Sequence, residues 1–173
     1  FGKINYMARE VFIHNSRIIK KCLSFTDVIG DENYAVSYLD EYMRFTTQES
    51  ESCFTMLFNN DSIGRGIQIV ETDKYSFHLA VNLPCTEEDV KMLYKLSRRI
   101  AYLWKSNHII VEDTRVELSE IEKVEEQDIA MNKSLLGDAP KLFGDDYATL
   151  YCVTLPICIP VKQLQGYSDS GSD

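Results

Sequence analysis

The chain has 173 residues, is 45% hydrophobic and 26% charged, and carries a formal net charge of -9. A chain of this size buries one substantial core, and its ordinary proportions exclude wholesale disorder, collagen-like repeats and a small disulfide scaffold. The longest uncharged run, residues 147–161, has 15 residues and two prolines, too short and too broken for a membrane-spanning helix, and the acidic balance lacks the basic footprint that nucleic acid requires.

The first 25 residues are ambiguous: MAREVFIH (7–14) reads as a strand and residues 16–23 as a short helix. From Asp31, a candidate N-cap, Val36, Leu39, Tyr42 and Met43 recur at helical spacing and predict a helix over about 31–45. CFTMLF (53–58) is a short apolar strand followed by turn chemistry at 59–64. Residues 66–71 and 75–83 alternate with period two around Thr72-Asp-Lys74, which predicts a β-hairpin with one buried face. Pro84 ends it, and Thr86-Glu-Glu-Asp89 opens the best helix of the chain, over about 86–106. Thr86 and Asp89 suit a reciprocal capping box, with Cys85 and Val90 at the flanking staple positions. Val90, Leu93, Tyr94, Ile100 and Trp104 lie on its apolar side, and Lys91, Lys95, Arg98 and Arg99 form a basic stripe on the other.

HIIV (108–111) reads as a buried strand, completing a crossover if it shares a sheet with 75–83. Ser119 and Glu122 suggest a second capping box for an acidic helix over about 119–135, with Ile121, Val124, Ile129, Met131 and Leu135 partly inward. Residues 137–146 read as a loop, 148–155 as a strand, and Pro156 and Pro160 bracket a sheet-edge segment. The expected fold is α+β: a mainly antiparallel sheet of about five strands, helix 86–106 packed on one face and the acidic helix beside it. Residues 1–165 form the expected single domain and 166–173 a disordered acidic tail or linker, while the opening Phe1 suggests that residues precede it.

Charge is concentrated. Residues 112–128 hold eight carboxylates against Arg115 and Lys123, so 17 residues carry -6 of the -9. For Glu117, Glu120, Glu122, Glu125, Glu126 and Asp128 an ordinary solvated helix surface is the preferred reading, and a docking face for a basic protein partner is the functional alternative. The basic stripe can also meet the acidic helix of a second copy.

Motifs for chemistry are sparse. No phosphate-binding loop, dinucleotide fingerprint, zinc-protease or nucleophile-elbow pattern occurs, no EF-hand spacing is present, and no cofactor or metal is expected. Gly64-Arg65-Gly66 is a bend before a strand, with an anion nest as the alternative. Cys85 is the thiol whose helix-start position can lower its pKa, although the staple role is preferred. An odd count of five cysteines without a secretory signal favours free thiols in a reducing cytoplasm. A small hydrolase or transferase site needs His78, His108 and Glu112, with Asp113 nearby, to converge across strands. A nucleic-acid-mimicking inhibitor is the remaining alternative.

Arg65-Gly-Ile-Gln-Ile, Tyr75-Ser-Phe-His-Leu, Leu83-Pro-Cys-Thr-Glu-Glu-Asp and Tyr94-Lys-Leu-Ser-Arg-Arg-Ile resemble an uncharacterised family, a domain of unknown function from streptococci and related low-GC Gram-positive bacteria. The resemblance implies a bacterial cytoplasmic protein and carries over no site residue. The function expected is therefore a non-enzymatic interaction or regulatory domain, with a protein partner or self-association and neither nucleic acid nor membrane.

Overall fold

The computed structural model describes residues 7–15, 22–30, 35–39, 45–46, 55–58, 64–144, 146–152 and 156–169. The predicted hairpin is its centre: β-strands Ile67–Asp73 and Ser76–Leu83 pair antiparallel, with Ile69 opposite Leu79 and a bulge near the turn. Tyr75 donates its backbone N–H to the Asp73 carboxylate at 2.7 Å, which tightens the reversal. Period two then puts Ile67, Ile69, Phe77, Leu79, Val81 and Leu83 on one buried face.

In chain order the strands are β1 (Met7–His14), β2 (Ala35–Leu39), β3 (Phe45–Thr46), β4 (Thr55–Phe58), the hairpin strands β5 and β6, β7 (His108–Val111) and β8 (Thr114–Glu117). They form one sheet in the order β3-β2-β4-β5-β6-β1-β7-β8, every neighbouring pair antiparallel. The class is α+β, as the sequence indicates, and the sheet extends beyond the five or so strands expected. Two segments account for the extra width. The helix expected over about 31–45 is not what the described residues of that segment form: β2 and β3 lie there, with Val36 opposite Leu57 of β4, and residues 31–34 and 40–44 lie outside those described. Val36, Tyr38, Phe45 and Thr46 are strand formers, and cross-strand pairing outweighs the 3.6-residue spacing of a few apolar positions. β8 is added through a two-residue turn, Glu112-Asp113, with both φ angles positive (47° and 64°). Such a turn usually signals itself with Asn-Gly, which this sequence does not use.

Helix α1 (Phe25–Ile29) starts at a reciprocal cap between Ser24 and Asp27, later than the 16–23 expected, of which residues 16–21 lie outside those described. Helix α2 (Glu87–Leu103) forms as predicted, with Thr86 and Asp89 completing the capping box. It joins β6 to β7, which run parallel to each other because β1 lies between them and is antiparallel to both. Leu93, Ile100 and Trp104 are fully buried under it, and the Trp104 ring rests 5.5 Å from Phe77.

A 3-10 turn (Leu118–Glu120) leads into helix α3 (Ile121–Gly137), whose N-cap makes no side-chain hydrogen bond, so the second capping box does not form. The 3-10 turn displaces Ser119 from the cap position. Helix α4 (Ala139–Phe143) occupies the expected loop, and strands β9 (Tyr147–Tyr151) and β10 (Pro156–Pro160) make a separate two-stranded sheet. Helix α5 (Val161–Asp169) takes in Gly166 to Asp169, which the sequence assigned to a disordered tail; residues 170–173 lie outside those described. Leu136, Ala148, Leu150, Val161 and Leu164 form a second apolar cluster apart from the main core.

Candidate functional site

Helices α2 and α3 lie antiparallel, because contacts pair the start of one with the end of the other: Glu87 with Lys133, Tyr94 with Asp128, Arg98 with Glu125. The seam is polar at its middle. Asp128 is 3% exposed and receives the Tyr94 hydroxyl and both Nε and Nη2 of Arg9, Nε at 2.7 Å. Burial alone would lower the Arg9 pKa, but the Asp128 carboxylate more than compensates and raises it. Burial, then the neighbouring Asp128 carboxylate, pushes the Tyr94 phenol far above its usual range. With Asp128 buried and Arg9 half-buried, the pair is a structural clasp, since withdrawing Arg9 leaves a buried carboxylate without its cation.

The acidic set is therefore divided. Asp128 is sealed inside, Glu125 is tied to Arg98, and Glu117 receives Arg115 Nε at 2.8 Å. Glu120, Glu122 and Glu126 are exposed. The basic stripe is likewise committed in part. Lys91 bonds Glu87 at 2.6 Å, four residues before it, and Arg99 Nε donates to the Asp27 carbonyl at 2.8 Å at the C-terminal end of α1. Gly30 makes room for that bond, since a Cβ there would lie 2.3 Å from the Arg99 guanidinium. Lys95 is exposed.

The histidine-centred site does not assemble. β1 separates β6 from β7, and His78 lies level with Ile110 through Phe12, so His78 and His108 stand roughly 12 Å apart by strand geometry. His78 instead stacks on Phe12, ring centroids 4.3 Å apart, with Glu10 at 3.6 Å. His108 contacts Asn107, and Glu112 accepts from the Glu10 backbone N–H.

The start of α2 is built around Asp89. Its carboxylate accepts backbone N–H bonds from Arg65, Gly66 and Thr86 at 2.9, 3.2 and 3.2 Å. The Gly64-Arg65-Gly66 bend is thus a nest filled by the chain's own carboxylate. A Cβ on Gly64 would approach Asp89 Oδ1 to 2.8 Å, and Gly66 adopts a φ of 78°. Beside it, the Asn132 amide bonds both backbone groups of Cys85, accepting from its N–H at 2.9 Å and donating to its carbonyl at 2.8 Å.

These clamps frame a feature that no sequence motif announces. A cleft of about 630 Å³ opens between the start of α2, the C-terminal half of α3, the inner side of β9–β10 and α5. Ile129, Leu136, Leu150, Ile157, Ile159 and Leu164 supply apolar wall, and Glu87, Glu88, Lys133 and Gln163 stand among its polar groups. Cys85 and Cys152 also line it, and burial raises both thiols above their usual pKa, Cys85 strongly. A lowered, reactive Cys85 is thereby overturned: desolvation, reinforced by Asp89, dominates its helix-start position. The only sequence hint of the cleft is the alternating Ile157 and Ile159 between two prolines.

Among the described residues, no group of three or more His, Cys, Asp or Glu side chains is placed to hold a metal ion, and no helix is long and apolar enough to cross a membrane. Cys22, Cys85, Cys152 and Cys158 are unbridged.

Sheet, crossover helix and clasped second helix together define an α+β domain organised on a split β-α-β unit. Residues 8–173 match the family described as Domain of unknown function (DUF4299), and the chain belongs to that family. The resemblance to an uncharacterised family read from residues 65–100 is thus borne out. Comparison with curated proteins and with solved structures finds no match.

Proposed function

We propose that the protein is a non-enzymatic interaction or regulatory domain that engages a basic segment of a protein partner through the outward face of α3. The carrying observation is that pairing removes Glu125 and Asp128 from that face yet leaves Glu122 and Glu126 exposed in line with Ile129 of the cleft, and Glu120 exposed just before the helix. Rim carboxylates of this kind steer a cationic partner and set its orientation more than they add affinity. A bacterial cytoplasmic setting belongs to the same reading, supported by unbridged thiols at four positions.

The test is a pull-down from native lysate with Glu120, Glu122 and Glu126 all replaced by Lys. Loss of a salt-sensitive partner is expected, and an unchanged set of partners overturns the reading. Glu125 and Asp128 are left intact because reversing either would break a structural pair.

A further inference from the structure

We propose that the cleft is the anchor pocket of this interaction, taking the apolar side chains of a cationic amphipathic segment whose Lys or Arg residues lie against Glu88, Glu126 and Glu122. The inference rests on the reading above and goes beyond it by naming where the partner's apolar residues go and what charge must accompany them.

Three features of the cleft carry it. First, its size of about 630 Å³ is in the range that holds several side chains or one ligand, and its apolar lining is incompletely covered: Ile129, Ile157 and Ile159 are all half-buried. Second, positions 122, 126, 129, 133 and 136 of α3 fall in one row at helical spacing, and exposure falls along it. Glu122 and Glu126 are exposed, Ile129 and Lys133 half-buried, Leu136 buried. A segment laid along this row meets carboxylates first and the apolar cleft next. Third, the mouth is biased toward cations. Lys133 is engaged by Glu87, which it shares with Lys91, whereas Glu88 is exposed and has no hydrogen-bond or ion-pair partner among the described residues. Cys85 and Cys152 are held as neutral thiols, and the cation that lines the floor, Arg65, is buried with its guanidinium bonded to the Leu83 and Pro84 carbonyls.

Fluorescence anisotropy with the full chain tests this, using a labelled Leu/Lys amphipathic peptide of about 14 residues, or roughly four helical turns. Ser/Lys and Leu/Glu peptides of the same length are the controls. The Leu/Lys peptide is expected to bind at least about tenfold more tightly than either control, a difference of about 1.4 kcal/mol. In methyl-resolved NMR it should shift Leu150, Ile157, Ile159 and Leu164. Glu88→Lys, a change at an exposed position, and Ile157→Asp should each weaken binding severalfold, with a thermal melt confirming the fold of both.

Equal binding of Leu/Lys and Ser/Lys peptides, or shifts confined to the first half of α3, overturns the pocket and leaves the acidic-face reading standing. Equal binding of the Leu/Glu peptide overturns the charge preference. If none of the peptides binds, the pocket falls whatever the pull-down shows. If the triple Lys replacement leaves lysate partners unchanged while the cleft still binds the Leu/Lys peptide, the earlier reading falls alone.

Discussion

Helices α2 and α3 are each 17 residues long and lie side by side, yet they are helical for different reasons. Helix α2 carries its own instructions: a reciprocal cap, three carboxylates in the first turn, and a face that buries Val90, Leu93, Leu96, Ile100 and Ala101. Helix α3 has no side-chain cap, and of its four buried residues two, Asp128 and Asn132, are polar. It is held by bonds to other elements: Asp128 to Arg9 of β1 and Tyr94 of α2, Asn132 to the Cys85 backbone. Local patterning fixes the first helix, and directed hydrogen bonds dock the second.

The strongest way to break that contrast is to remove Arg9. Arg9→Leu leaves the Asp128 carboxylate buried without its cation, and about 3–5 kcal/mol of stability should be lost in urea unfolding. The contrast also dictates where the loss appears. Hydrogen exchange should show α3 amides opening well before those of α2; equal loosening of both helices would mean that the clasp supports the whole layer rather than docking one helix.

Asn132→Ala comes next. Two backbone groups of Cys85 lose their partners, each costing about 1–3 kcal/mol if it stays dry. The same variant loosens the wall of the cleft, so iodoacetamide labelling followed by mass spectrometry gives a second readout. In the wild type Cys22 and Cys158 should label readily and Cys85 and Cys152 slowly, because the latter two are buried with raised pKa. Asn132→Ala should accelerate Cys85 specifically.

What could be read in advance follows the same division. The β5–β6 hairpin and α2 were legible because period two and period 3.6 are written in contiguous residues with their turn and cap chemistry alongside. Four apolar residues at helical spacing point to a helix over 31–45, and nothing local reveals that β4 waits to pair with residues 35–38. Asp128 looked like one more carboxylate of an exposed patch, since its partner Arg9 lies 119 residues away in sequence. The cleft was invisible for the same reason: its walls come from segments near 65, 85, 130, 150 and 160, which meet only in the fold.

A smaller effect probes α2 alone. Thr86→Ala removes the hydroxyl that caps the Asp89 N–H at 3.1 Å and should cost about 1 kcal/mol, read as a lower denaturation midpoint. Asp89→Ala should cost more, because that carboxylate also holds the Arg65 and Gly66 amides. In both variants the methyl signals of the second apolar cluster around Leu164 should stay in place.

The smallest effect lies where the two helices meet at the surface. The bond from Lys91 holds the Glu87 pKa below its usual value; burial opposes this and Lys133 adds to it. A carboxylate whose folded pKa is depressed stabilises above its unfolded pKa of about 4.3, and that contribution is lost as pH falls through the lower folded value. Glu87→Gln should therefore be less stable than the wild type at neutral pH by under about 1 kcal/mol, with the gap closing as the solution is acidified below about pH 4. Lys91→Ala and Lys133→Ala separate the two helices: the first removes a bond within α2, the second one of the ties that α3 depends on. Faster exchange at the C-terminal turns of α3 is expected for Lys133→Ala and not for Lys91→Ala, and the opposite pattern would place the docking energy of α3 elsewhere than in its polar contacts.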